Sequence, residues 1–155
     1  MLRYVVKAPG TPAEIKEVEE GVDRLALFQD EVGGYIEAVT LHDLAAIEER
    51  GVSFFANEEG KFDPALPAHF LLRDNGWVYD VAFGPIVGVG YDPSTGHSIS
   101  LSPALANDVA AGLNRLAAVD SPRTVYNIGN KALEALGVEP RERPAHLATP
   151  RTPGL

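Results

Sequence analysis

The chain contains no cysteine. Disulfides, thiolate zinc sites and cysteine nucleophiles are thereby excluded, and a reducing, intracellular setting is the default. No apolar run approaches the roughly 18 to 20 residues that a membrane helix requires. The opening stretch MLRYVVKAPG alternates in character and lacks the basic-then-apolar order of a signal peptide. A cytoplasmic location without membrane contact is therefore expected. Positive charge is also scarce, with 13 Lys and Arg against 22 Asp and Glu for a net charge of -9. The imbalance is uneven. Residues 1–120 carry -11 and the last 35 residues carry +2, while 14–59 hold thirteen carboxylates against Lys16, Arg24 and Arg50. Such a field repels phosphates, so direct nucleic-acid binding is not expected.

What is present is enough for one domain with a core, since the chain has 155 residues of which 45% are apolar. Leu2 to Ala8 alternates as a strand, and Pro9-Gly10-Thr11-Pro12 turns the chain toward a short second strand, Ala13 to Val18. Leu25, Phe28 and Val32 repeat at helical spacing within Val22 to Val32, with Gly33 suited to the left-handed C-terminal position. Tyr35 to Leu41 alternates again, Asp43 is placed to cap a short helix through Glu49, and Val52 to Ala56 is rich in strand formers. Asn75-Gly76 is the strongest hairpin signal and joins Phe70–Arg73 to Trp77–Phe83. Ile86 to Tyr91 is a strand whose interior glycines mark close backbone approach. Ser102-Pro103 opens a helix carrying Leu105, Val109, Leu113 and Leu116.

These elements predict an α+β fold: a mostly antiparallel sheet of about six or seven strands with interspersed helices. Residues 1–120 form its single domain. Ser121-Pro122 opens an accessory C-terminal helix, residues 121–137, through which the chain could self-associate. Four prolines within 138–155 predict a disordered tail.

The chemistry on offer is selective. Gly88, Gly90 and Gly96 precede no helix, so no phosphate loop is predicted. The chain has no G-x-S-x-G elbow. His42, His69 and His97 show no metal-ligand spacing, and neither metal nor cofactor is expected. Asn57-Glu58-Glu59-Gly60-Lys61 packs an amide, carboxylates, a flexible backbone and an ammonium into one turn, as a ligand rim would require. Gln29 and Tyr35 flank the side-chain-free Gly33-Gly34 link. His69 follows Pro67 beside the hairpin. The candidate ligand-binding set is therefore Gln29, Tyr35, Asn57, Glu58, Lys61 and His69, with no catalytic residue assigned. Two other classes remain open: an acidic, DNA-mimic-like inhibitor presenting 14–59 to a nucleic-acid-binding enzyme, and a small acid/base enzyme using Glu58, His69 or Asp80.

The segment from Gln29 to Glu37, of the form Q-x-x-V-G-G-x-I-E, followed by the N-E-E-G-K turn at 57–61, resembles domain-of-unknown-function family 3846. The resemblance spans roughly Tyr4 to Leu101 and includes Pro67 and the Asp80 to Gly84 segment, with His69 standing where the family pattern has an asparagine. It implies a small accessory protein of phages, plasmids and bacteria, acting in the host cytoplasm. The corresponding expectation is a non-enzymatic binding protein, with counter-defence as a candidate role, whose partner is a small polar, nucleotide-like ligand or a host protein.

Overall fold

The computed structural model describes residues 1–58, 69–74, 77–116 and 118–119. Lys61, the Asn75-Gly76 turn, the helix expected at 121–137 and the tail at 138–155 lie outside the described residues.

Nine strands and three α-helices give an α+β fold among these residues. The strands are β1 (Leu2–Lys7), β2 (Glu14–Val18), β3 (Ile36–Val39), β4 (Val52–Asn57), β5 (His69–Asp74), β6 (Trp77–Phe83), β7 (Ile86–Tyr91), β8 (Ser98–Ile99) and β9 (Ala118–Val119). The helices are α1 (Arg24–Val32), α2 (Ala45–Glu48) and α3 (Pro103–Asn114), and a 3₁₀ turn, His42–Leu44, precedes α2. Alternation predicted a single sheet. The strands instead divide into a larger sheet ordered β2-β1-β7-β4-β3, with β8 on β7, and a smaller one ordered β6-β5-β9. Every pairing is antiparallel. The Phe70 hairpin expected from sequence is the β5–β6 pair, with a register shift between Leu72 and Arg73.

Strand parity sends alternate residues of the larger sheet to two separate cores. Leu2, Tyr4, Val6, Val87 and Val89 meet Phe28 and Val32 of α1 on one face. Val5, Val52, Phe54, Ala56 and Ile86 meet α3, the 3₁₀ turn and Phe70 of the smaller sheet on the other. The molecule is thus layered: α1, the large sheet, then α3 with the small sheet. Phe28 occupies the middle of the first interface, with its ring 5.9 Å from Tyr4 edge-on and 5.8 Å from Phe55 in a stack.

Local signals explain the helix ends. Asp23 accepts from the Ala26 N–H and is therefore the cap preceding α1. Gly33 closes α1 at φ 79°. Ser102 caps α3 through the Leu105 N–H. Asp43 does not cap its helix. The 3₁₀ turn begins after Leu41, no side chain caps it, and the buried Leu41 N–H is instead satisfied by Glu48 Oε1 at 2.8 Å. Leu25, predicted on the inner stripe of α1, is 55% exposed. Phe28 and Val32 are the buried residues of that short helix, with the partly buried Leu27 packed against the same core.

Candidate functional site

The two motifs of the sequence meet at one end of the β3–β4 pair. Register places Ile36 opposite Asn57. Beyond the ladder the Glu58 N–H donates to the Tyr35 carbonyl at 2.8 Å, so the backbones stay tied past the last strand residues. Parity turns Asn57 toward α1, together with Phe55. There the Asn57 amide nitrogen donates to the carbonyl of Val32, the last residue of α1, at 3.2 Å.

The glycine pair makes this contact possible. A Cβ on Gly34 would lie 2.8 Å from Asn57 Nδ2, closer than a Cβ ordinarily comes to any atom it is not bonded to. Both Gly33 and Gly34 donate to the Gln29 carbonyl, at 2.9 and 3.1 Å, which ends the helix and aims the chain into β3. Gln29 is thereby part of the same junction through its backbone, with its side chain half-buried on α1. Asn57 is 9% exposed. The Tyr35 ring is 65% exposed, and Glu58 beside it is also exposed.

Of the six residues predicted for ligand contact, the fold therefore brings together Gln29, Tyr35, Asn57 and Glu58. Asn57 serves the interior of this junction, while Tyr35 and Glu58 form its outer surface. His69 begins β5 in the smaller sheet, across the large sheet from α1, and is not brought to the junction. Lys61 lies outside the described residues. Glu37 pairs with Ala56 and so faces the α3 side, opposite Asn57.

Lys7 is a buried charge that sequence reasoning did not single out, because alternation alone does not say that both faces of β1 are covered. It is 8% exposed, donates to the Thr11 carbonyl, and has its ammonium 6.0 Å from the centre of the Phe70 ring. Burial pulls this ammonium below its ordinary range. A recess of about 370 Å³ lies under the same turn, lined by Val6, Ala8, Thr11, Pro12, Ala13 and Glu14. Four other cations among the described residues are matched by acids: Arg3 with Glu17 at 2.6 Å, Lys16 with Glu31 at 3.0 Å, Arg24 with Glu20 at 2.8 Å and Arg50 with Asp108 at 2.7 Å.

No group of three or more His, Asp or Glu side chains among the described residues is arranged to hold a metal ion. No helix among them is long and apolar enough to cross a membrane.

The chain matches the family described as "Domain of unknown function (DUF3846)" over residues 2–114. It belongs to that family. The match runs from β1 to the last residue of α3, so both motifs and the layers that hold them lie inside the DUF3846 domain. No curated protein matches the chain. No solved structure matches it either.

Proposed function

We propose that this DUF3846 protein is a non-enzymatic accessory binding protein of a phage or other mobile element, and that it holds a host protein in the cytoplasm through the paired segments Gly33–Tyr35 and Asn57–Glu58. The observation that carries this is the exposed Tyr35 ring on a backbone fixed by the Glu58 N–H bond at 2.8 Å. An aromatic side chain on a rigid platform loses little conformational freedom when it is covered, and such residues are the usual anchors of protein interfaces. The adjacent Glu58 carboxylate supplies a polar rim that favours a basic partner surface. Asn57 and Gly34 are the supports that keep the two segments in register.

Site-specific photocrosslinking in the host tests this. A benzophenone amino acid replacing Tyr35 or Glu58 is expected to capture the same host protein, and one replacing Ser94, exposed on the distant β7–β8 turn, is expected not to. Equal capture from all three positions, or none from Tyr35 and Glu58, overturns the proposal. A small bound mass seen in native mass spectrometry of the purified protein and lost in Tyr35→Ala would replace the host protein with a small polar ligand at the same place.

A further inference from the structure

Tyr35 and Glu58 open on the side of the molecule from which the C-terminal segment departs. Register pairs Glu37 with Ala56, and Ala56 is buried in the core shared with α3 and Phe70. Tyr35 and Glu58 stand one alternation further along each strand and keep that parity. They therefore face the α3 side of the large sheet, away from α1. The smaller sheet lies on this side too, because Phe70 of β5 belongs to the same core. β9, the last described strand, pairs with β5.

A short chain of contacts links the end of β9 to Tyr35. Val119 pairs with His69, and His69 pairs with Phe83. Gly84 follows Phe83, and a Cβ on it would lie 4.0 Å from the Val32 carbonyl oxygen, the acceptor of the Asn57 amide. Tyr35 follows Val32 across the Gly33-Gly34 link. Each link is a strand spacing, a peptide step or a contact, which bounds the distance from Val119 to Tyr35 at about 35 Å. The chain from Val119 to Lys131 extends up to about 40 Å. The segment beyond β9 therefore reaches Tyr35 by Lys131.

The chemistry of that stretch is complementary to the surface. Residues 121–133 hold Arg123 and Lys131 and no carboxylate, with Val125, Tyr126 and Ile128 between the two cations. Residues 1–120 carry -11. The Tyr35 ring is 65% exposed, and Glu58 takes part in no ion pair among the described residues. An open aromatic ring beside an unpaired carboxylate is matched by apolar side chains set between cations. The stretch lies beyond the DUF3846 match, which ends at residue 114.

We infer that residues 121–133 of this chain cover the Tyr35–Glu58 surface in cis, with apolar side chains on the Tyr35 ring and Arg123 or Lys131 on the Glu58 carboxylate. The segment then occupies the place of a basic partner and competes with it. Tethering sets its effective concentration at the surface on the order of millimolar, so a weak contact holds the cover in place and a tighter partner displaces it. The inference rests on the reading of Tyr35 and Glu58 as a contact surface and adds how that surface is regulated.

The chain has no cysteine, so Asn127→Cys or, separately, Asn130→Cys gives the full isotope-labelled chain one site for a nitroxide spin label. Amide signals of Tyr35 and Glu58 are expected to broaden, and that of Ser94 on the β7–β8 turn to stay sharp. Arg123→Glu combined with Lys131→Glu is expected to abolish the broadening. The same charge reversal is expected to raise host-protein capture by a benzophenone amino acid at Tyr35 about threefold or more. Sharp Tyr35 and Glu58 signals with both labels, broadening equal at Ser94, or broadening that survives the charge reversal overturns the cover. Broadening that passes from a spin-labelled chain to an isotope-labelled chain without a nitroxide assigns the contact to a second copy and also overturns it. If the broadening is found and neither chain captures a host protein, the cover stands and the host-protein reading fails. Capture without broadening leaves that reading standing and removes the cover.

Discussion

Gly34 lacks the one atom that would collide with Asn57: a Cβ there would sit 2.8 Å from the amide nitrogen that reaches the Val32 carbonyl. The φ angle of Gly34 is not in the left-handed region, so space, and not backbone conformation, is what demands glycine. Gly34→Ala is expected to lower stability by about 1 to 3 kcal/mol, and Asn57→Ala by a similar amount because it takes away the donor that the Val32 carbonyl uses. The double variant should cost clearly less than the sum, since the alanine at 57 vacates the space that the new methyl group needs. Strictly additive denaturant midpoints would mean that the two residues are not coupled.

Gly90 and Gly88 make a matched pair. A Cβ on Gly90 would lie 2.5 Å from the Ile99 carbonyl oxygen, whereas one on Gly88 would first meet a Val109 methyl at 2.8 Å. Backbone cannot step aside as a side chain can. Gly90→Ala is expected to cost about 3 kcal/mol, with Gly88→Ala at about 1 to 2 kcal/mol. Only Gly90→Ala should raise amide exchange at Ser98 and Ile99, the residues of β8.

Burial, reinforced by the neighbouring Glu31 carboxylate, pushes the Tyr4 hydroxyl up to about 12 from 10.0. The unfolded chain therefore loses this proton first as pH rises. Stability attached to the protonated ring is fully present below pH 10, falls between pH 10 and pH 12, and is gone above the folded value. Two units correspond to at most about 2.7 kcal/mol. Tyr4→Phe should flatten that part of the stability curve, as measured by urea unfolding at stepped pH.

Lys7 has the opposite sign. Its ammonium is disfavoured by burial, so the unfolded chain binds the proton more strongly, and stability contributed by this group rises as pH climbs toward the ordinary value of 10.5. Lys7→Met keeps the aliphatic stem under Phe70 and removes the charge. Its unfolding midpoint at neutral pH is expected to equal or exceed that of the parent chain, with the alkaline rise abolished. A marked fall would show that the bond to the Thr11 carbonyl and the Phe70 ring outweigh the cost of desolvation.

Features that depend on near neighbours along the chain are legible in the order of residues. Ser102 before Pro103 announces the start of α3, Gly33 announces the end of α1, and the alternations read at 2–8, 35–41 and 86–91 contain β1, β3 and β7. The closeness of the two glycine-bearing motifs needs one further step, the antiparallel pairing of β3 with β4, the next strand along the chain after the helical connection 40–51. The side of the sheet on which a residue ends is not legible in the same way. Asn57 reads as part of a polar turn, yet parity carried on from Phe55 turns it inward beneath α1. Leu25 reads as core, yet it stands in the first turn of α1 and is 55% exposed.

The amino-acid order alone settled the end of α1 at Gly33 and the start of α3 after Ser102, the excess of negative charge and the absence of thiol chemistry, because caps, turns and alternation act over a few residues. Tertiary packing alone decided that the strands split into two sheets, that Lys7 is enclosed and that Asn57 turns inward beneath α1. Those outcomes depend on which faces are covered and by how much, and coverage is a property of layers meeting across the chain, which no local pattern contains.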